Sequence, residues 1–167
     1  MSSPTRVRGF TLVELMIIVA LLAIVASIAA PNFIQLIRNN QVQAQTDEIA
    51  TFLQYARSQA VSRRMPYTID LDNWTVHPGN DTTSDAERQL DINPDKANPV
   101  HNQGNNATLG FTGQGLAKAS GTFKVVICHG TDKANGYLLE VRPSGLLKRY
   151  QRGKKDDTNP LTSCTSF

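Results

Sequence analysis

A single carboxylate interrupts a long apolar stretch near the start of the chain. From Phe10 to Ala30 the only polar residues are Thr11, Glu14 and Ser27. A charged side chain in the middle of a membrane costs on the order of 2.5–3.5 kcal/mol, so an ionisable residue within such a stretch indicates a function by default. A plain membrane anchor would give this carboxylate no purpose, and we therefore treat Glu14 as a candidate functional residue.

A cluster of basic residues lies near the end of the chain. Five positive charges fall within eight positions that also include Tyr150, and these are Lys148, Arg149, Arg152, Lys154 and Lys155. Cations beside an aromatic side chain suit the backbone of a nucleic acid. Asp156 and Asp157 partly neutralise the run, as in a solvated or subunit-facing polar rim. The sequence favours the rim, with contact to DNA as the alternative.

Two cysteines, Cys128 and Cys164, stand 36 positions apart with no metal-ligand spacing around them. In a reducing compartment they would be two unrelated thiols. In an exported chain they would form a disulfide that holds the C-terminal tail to the body of the protein.

Residues that could carry enzymatic chemistry are scattered. His77, His101 and His129 stand in no catalytic or metal-binding motif, and the glycines from Gly110 to Gly115 lack the Lys-Ser/Thr that completes a phosphate-binding loop. We therefore predict no catalytic residue, no metal site and no cofactor. The formal charge of +3 includes Arg6 and Arg8, and the remaining 15 basic residues nearly balance 14 acidic ones. Overall charge is thus weak evidence for a nucleic-acid partner.

The apolar stretch predicts a helix about 30 Å long, enough to cross a bilayer. Arg6 and Arg8 precede it, so the positive-inside rule leaves the N-terminus in the cytoplasm and the rest of the chain outside the inner membrane. A secretory signal peptide is the alternative, because Ser27-Ile28-Ala29 mimics a cleavage site, but the stretch is too long and contains Glu14.

Beyond Pro31 the pattern becomes that of an amphipathic helix, which should end near Arg64 because Pro66 disfavours its continuation. The predicted apolar stripe comprises Ile34, Ile37, Val42, Ile49, Phe52, Leu53, Ala56 and Ala60. Strands are expected near 67–71, 74–76, 107–111, 123–128, 137–141 and 146–150, with Asn135-Gly136 as a hairpin turn. Residues 78–107 predict an irregular loop with one short strand near 90–92.

The segment Gly9-Phe10-Thr11-Leu12-Val13-Glu14 resembles the prepilin signature of type IV pilins and type II secretion pseudopilins. The resemblance implies that a prepilin peptidase cuts between Gly9 and Phe10 and N-methylates Phe10. It also implies that Glu14 pairs with the amine of Phe10 on a neighbouring subunit during assembly. Pro31 would bend or loosen the helix at the far end of the membrane segment.

The second half resembles the GspH/FimT branch of pseudopilins, and most of the chain, except residues 78–107, resembles the minor pilins of type IVa pili. The residues that carry this resemblance are Tyr55–Ala60, a cysteine that closes a hydrophobic strand, and Val141–Gly145 ahead of a basic stretch. It implies an α+β pilin fold, in which a long N-terminal helix packs on an antiparallel β-sheet head. The expected divisions are a leader at 1–9, a membrane or filament-core helix at 10–30, an amphipathic helix at 31–64 and a head at 65–167.

The resemblance implies a structural subunit of a type IVa pilus that primes assembly at or near the tip, for twitching motility and adhesion. A GspH-type minor pseudopilin of type II secretion and a DNA-binding pseudopilin for natural transformation are the alternatives. The expected partners are the major pilin, other minor pilins, the prepilin peptidase and the inner membrane. The head would lie in the periplasm before assembly and the chain in a surface filament afterwards. A calcium site in loop 78–107 stays open, since turn chemistry also explains its Asp and Asn content.

Overall fold

The computed structural model describes residues 9–104, 107–119 and 121–167. These residues fall into two compact units, of which the second, Arg38–Phe167, is the head. The basic residues Arg6 and Arg8 of the expected leader lie outside the described part of the chain.

One helix, α1 (Leu12–Arg63), contains nearly all of the N-terminal third of the chain and continues through Pro31. Its end is a Schellman motif in which Arg64 N–H donates to the Val61 carbonyl (3.3 Å) and Met65 N–H to the Ala60 carbonyl (3.2 Å). Arg64 takes the left-handed conformation that this motif needs, with φ of 54°. The helix therefore ends within one residue of the predicted position.

Within the head, one face of α1 is buried, at spacings of three and four residues. Its buried residues are Val42, Gln45, Thr46, Ile49, Phe52, Leu53, Ala56 and Ala60. The predicted stripe is thus correct from Val42 onward. It is wrong for Ile34 and Ile37, which are 50% and 41% exposed, because both belong to the first unit and not to the head.

In the described part of the chain, nine strands form two antiparallel sheets, where the sequence predicted one. The strands are β1 (Tyr67–Asp70), β2 (Thr75–Pro78), β3 (Arg88–Gln89), β4 (Asn98–His101), β5 (Thr108–Phe111), β6 (Ala117–Lys118), β7 (Phe123–Cys128), β8 (Tyr137–Val141) and β9 (Leu147–Arg149). The five-stranded sheet has the order β3-β2-β1-β5-β6, and the four-stranded sheet has the order β4-β7-β8-β9.

The segment 78–107 holds two strands that differ from the prediction. β3 lies just before the expected strand at 90–92, and β4 was expected to be loop. Pro99 within β4 argues against a central strand, because proline has no N–H to donate. β4 is an edge strand that pairs with β7, and Asn102 N–H just beyond it donates to the Lys124 carbonyl. Because hydrogen-bonded residues alternate along an antiparallel strand, the nitrogen of Pro99, three residues earlier, points away from β7 and costs the ladder no hydrogen bond.

The four-stranded sheet separates two hydrophobic clusters. Alternate residues of β7 and β8, including Val125, Ile127 and Leu139, belong to the main core together with α1 and the five-stranded sheet. The intervening residues form a second cluster with the C-terminal tail, made of Val126, Cys128, Leu138, Tyr150, Leu161 and Cys164. A long helix packed on antiparallel sheets confirms the predicted fold class.

Candidate assembly and binding surfaces

The start of α1 is closed by a capping box between Thr11 and Glu14. The Glu14 N–H donates to the Thr11 hydroxyl (3.2 Å), while the Thr11 N–H (3.3 Å) and hydroxyl (3.1 Å) donate to the Glu14 carboxylate. Two backbone donors that the helix itself cannot satisfy are thereby paired. Sequence reasoning missed this role, although a Thr three residues before a Glu at a helix start is its known signal.

The box determines where the Glu14 carboxylate lies. It is held against the backbone N–H of Thr11, one residue after Phe10, and Phe10 itself is 73% exposed. The carboxylate is also exposed, so a cation from outside the chain can reach it. The expected pairing with a neighbour's Phe10 amine stays a prediction.

The first unit presents an almost continuous apolar surface. Its large exposed hydrophobic residues include Phe10, Leu12, Val13, Leu15, Met16, Ile17, Val19, Leu21, Leu22, Ile24, Val25, Ile28, Phe33, Ile34, Leu36 and Ile37. In the part of the chain that the structure describes, α1 is the one helix long and apolar enough to cross a membrane. This surface is consistent with membrane anchoring.

Two side chains near Pro31 donate to carbonyls of the preceding turns. Ser27 Oγ donates to the Ile24 carbonyl (2.7 Å), and Asn32 Nδ2 donates to the Ile28 carbonyl (3.3 Å). The carbonyl that Pro31 leaves without a backbone donor is that of Ser27, four residues earlier, so these contacts bond neighbouring carbonyls and do not replace the lost hydrogen bond.

A disulfide joins Cys128 at the end of β7 to Cys164 in the tail, with their Cα atoms 6.0 Å apart. The tail crosses the outer face of the four-stranded sheet and buries Leu161 against Val126 and Leu138. A cavity of about 310 Å³ lies between this tail and the sheet. The disulfide thus holds the tail on the outer face of the four-stranded sheet, and the tail covers that face.

Glu140 is a buried carboxylate that the sequence did not single out. It lines the cavity, is 9% exposed, and accepts hydrogen bonds of 3.0 Å from both Arg142 Nε and the Tyr150 hydroxyl. Burial opposes its ionisation, but these two hydrogen bonds and the charge of Lys124 outweigh burial and lower the pKa of Glu140. Burial, followed by the hydrogen bond to Glu140, raises the pKa of Tyr150.

The predicted basic cluster does not form one free patch. Lys148 Nζ lies 2.8 Å from the Asp157 carboxylate, and Arg149 pairs with Asp47 of α1. Arg152 donates to the Tyr137 hydroxyl and to the Gln43 side chain, both at 3.1 Å.

The two remaining lysines of the cluster differ in their surroundings. Lys154 Nζ donates to the Thr158 carbonyl (3.2 Å), and Lys155 lines the cavity beneath the tail. Most of the cluster therefore ties β9 and the loop after it to α1 and to the tail.

Two of the sequence segments that carry the family resemblance meet at Arg57. Its Nε donates to the Gly115 carbonyl (3.0 Å) in the turn between β5 and β6. A Cβ at Gly145, in the turn between β8 and β9, would run into that carbonyl and would lie 2.7 Å from Arg57 Nε. Gly145 also has φ of 76°, so both its conformation and its surroundings require glycine.

Residues 45–145, more than half of the chain, match the sequence model of the type II transport protein GspH. The chain belongs to the GspH family. Residues 4–30 match the prokaryotic N-terminal methylation motif, and residues 4–8 of that match lie outside the described part. Both matches confirm the resemblance drawn from the sequence.

Curated and solved proteins are similar to parts of the chain. A 43-residue stretch is 56% identical to the type IV major pilin PilA of Myxococcus xanthus and covers 25% of this chain but 20% of that pilin. Crystal structures of the type IV minor pilin FimU of Pseudomonas aeruginosa share the fold at 21% identity. One has a TM-score of 0.56 over 75% of this chain and 96% of FimU, and the other 0.54 over 73% and 98%.

Pilins and pseudopilins are structural subunits rather than enzymes. Within residues 9–104, 107–119 and 121–167 of this GspH-family chain, no three His, Cys, Asp or Glu side chains group as metal ligands would. The candidate sites that the two family matches suggest are surfaces for processing and assembly.

Proposed function

We propose that this chain is a minor pilin of a type IVa pilus, a structural subunit that primes assembly and lies at or near the tip. The observation that carries the proposal is the combination of two parts in one chain. An exposed apolar helix begins at Leu12, two residues after Phe10 and with Glu14 in its first turn, and the head has the fold of FimU, which is itself described as a type IV minor pilin.

The first step in this role is processing. A prepilin peptidase cuts between Gly9 and Phe10 and methylates the new N-terminal amine. The match to the N-terminal methylation motif supports this step. Phe10 is exposed, and residues 9–11 precede α1 without regular structure, so the Gly9–Phe10 peptide bond is accessible.

Assembly follows from the chemistry of the first unit. In the membrane the apolar helix anchors the chain in a single pass with the head in the periplasm, and in a filament the same surface packs against other helices. Glu14 and a neighbour's Phe10 amine then form an ion pair away from water. Each charge would be costly alone, so the pair favours one axial register. The partners are the major pilin, other minor pilins, the prepilin peptidase and the inner membrane.

A minor pseudopilin of a type II secretion system is the second candidate. The description of the matching family as a type II transport protein favours it. Both candidates require the same processing and helix packing. They differ in whether the chain serves a pilus or a type II secretion system.

Deleting the gene and restoring the full-length chain tests the proposal. We expect the deletion to reduce surface pili and twitching, and the amount of type II substrate in the medium to stay unchanged. Loss of secretion with normal pili would overturn the proposal in favour of the pseudopilin. Immunogold labelling that finds the chain evenly along pili would contradict the tip position.

A further inference from the structure

Three of the head's few exposed large hydrophobic residues lie around one arginine. Among the described residues of the head, the exposed large hydrophobics are Val61, Met65, Leu116, Leu146 and Phe167. Val61 and Leu146 line depressions that Arg57 also lines, and Leu116 follows Gly115, whose carbonyl accepts a hydrogen bond from Arg57. We call these four residues the Arg57 surface. Exposed apolar side chains that lie together in this way mark an interaction site.

The contacts of two glycines show that the surface is continuous. A Cβ at Gly115 would lie 2.8 Å from Val61 Cγ2, so the turn that carries Leu116 presses directly on α1. Gly145 packs against the Gly115 carbonyl, which places the neighbouring Leu146 beside the same turn. Arg57 holds the arrangement through its bond to the Gly115 carbonyl.

Two depressions adjoin at Arg57 and Gln54, with volumes of about 140 and 450 Å³. Phe111 and Leu146 line the smaller one, and Val61 lines the larger one. Arg57 is the one charged side chain in either lining, and neither contains an Asp or Glu.

The charge of Arg57 is not balanced within the head. In the described part of the chain, ion pairs engage Arg63, Arg142, Lys148 and Arg149, and none engages Arg57. Its guanidinium is partly buried and offers further N–H donors beside the apolar side chains. A bound carboxylate would pair with it in a bidentate manner.

We propose that the Arg57 surface receives a neighbouring filament subunit through a segment in which an apolar side chain stands next to a carboxylate. The apolar side chain fills a depression and the carboxylate pairs with Arg57. Binding of a nucleic acid backbone would need several cations, and the residues that line the two depressions supply one, Arg57. The inference rests on the proposed function, since it assumes that the partner is another pilin-like chain.

Site-specific photocrosslinking in cells that produce the full-length chain from its own locus tests the surface. Benzophenone side chains replace Leu116 and Leu146, and Lys96, an exposed position outside the surface, serves as control. We expect positions 116 and 146 to give an adduct with a second chain whose processed N-terminus is Phe with Glu four residues later. The crosslinked peptide should contain an Asp or Glu beside an apolar residue. No adduct, the same adduct from position 96, or an adduct with lipid or a protein lacking that N-terminus would overturn the proposal.

A second measurement separates this proposal from the proposed function. The Leu116→Asp/Leu146→Asp double variant places carboxylates beside Arg57 on exposed positions, and Lys96→Asp is the matched control. We expect at least a tenfold loss of the double variant from the sheared filament fraction, with Lys96→Asp at the wild-type level. If the double variant is incorporated as well as the wild type, the proposal for the Arg57 surface is wrong, and the proposed function as a minor pilin still stands. Absence of the wild-type chain from filaments would contradict the function, and the crosslink in whole cells would still decide the surface.

Discussion

The Tyr150 hydroxyl donates a hydrogen bond of 3.0 Å to the buried carboxylate of Glu140. This bond joins β8 to the residue that follows β9, on the sheet face that the C-terminal tail covers. Arg142 Nε donates to the same carboxylate, so Glu140 is held in its charged form.

The first prediction concerns Glu140 and pH. Because folding lowers its pKa below the ordinary value of 4.5, Glu140 stabilises the fold above that pH and loses this contribution as the pH falls through its folded pKa. At pH 7, Glu140→Gln should cost about 1–3 kcal/mol, since it removes a charged partner of two donors. Urea unfolding of the full-length chain in detergent, followed by the fluorescence of Trp74, measures the effect.

The pH dependence supplies the control for Glu140. Between pH 7 and pH 3 the unfolding free energy of Glu140→Gln should fall less than that of the wild type, whereas exposed Asp85→Asn should follow the wild type. Parallel curves for Glu140→Gln and wild type would contradict the assignment.

The second prediction concerns the disulfide. Replacing Cys128 and Cys164 by Ser should lower the unfolding free energy by about 2–4 kcal/mol, because the closed loop no longer restricts the unfolded chain. Limited proteolysis should then cut the tail first. Intact mass after alkylation without reductant checks the pairing, and two alkylated thiols in the native protein would show it to be absent.

The third prediction concerns the N-terminus. Mass spectrometry of the mature chain should find methylated Phe10 as its first residue, and an N-terminus near Ala29 would indicate a signal peptide instead. Glu14→Gln should be made and inserted in the membrane but be reduced in the sheared filament fraction, because the amine of a neighbour loses its counter-ion. Glu48→Gln, on the part of α1 within the head, is the matched control and should assemble normally.

A fourth prediction tests the capping box separately from the charge of Glu14. Thr11→Val keeps the side-chain shape but removes the hydroxyl that accepts from Glu14 N–H, at a cost of about 1 kcal/mol to the first turn. Thr11→Ser retains the hydroxyl and should behave as the wild type. Equal helix protection at the N-terminus in hydrogen exchange for Val and Ser would contradict a capping role.

The fifth prediction concerns DNA. Since Lys148 and Arg149 pair with Asp157 and Asp47, two of the five clustered cations are already neutralised, which weakens attraction to phosphates. The full-length chain in detergent should not retard duplex DNA in a gel at low salt. Retardation that disappears in a Lys148→Ala/Arg149→Ala/Arg152→Ala variant would favour the DNA-binding alternative.

The helix end and most strands were predictable because their signals are local. Pro66 predicted the end of α1, alternating apolar residues predicted β1, and β-prone apolar runs near turn residues predicted β5, β7 and β8. β4 was missed because Pro99 reads as a loop residue. Its strand depends on pairing with β7, which lies more than twenty positions away in the sequence.

The candidate sites also differ in whether a local signal in the sequence predicts them. Glu14 stands out in the sequence because a carboxylate in an apolar run is costly whatever the fold. The Arg57 surface has no such signal, since Val61, Leu116 and Leu146 are ordinary apolar residues that become neighbours when two turns pack on α1. Likewise, the five clustered cations predict a positively charged patch. The structure shows that Asp47 of α1 pairs with Arg149 and neutralises its charge.

The sequence by itself determined the N-terminal methylation motif and predicted the assembly chemistry, because Gly9, Phe10, Glu14 and the apolar run are close together in the chain. Local order along a helix follows directly from order in the chain. The tertiary structure alone decided which charges are paired and which remain free. An ion pair such as Arg149–Asp47 and an uncompensated cation such as Arg57 are set by which distant side chains packing brings within a few ångströms.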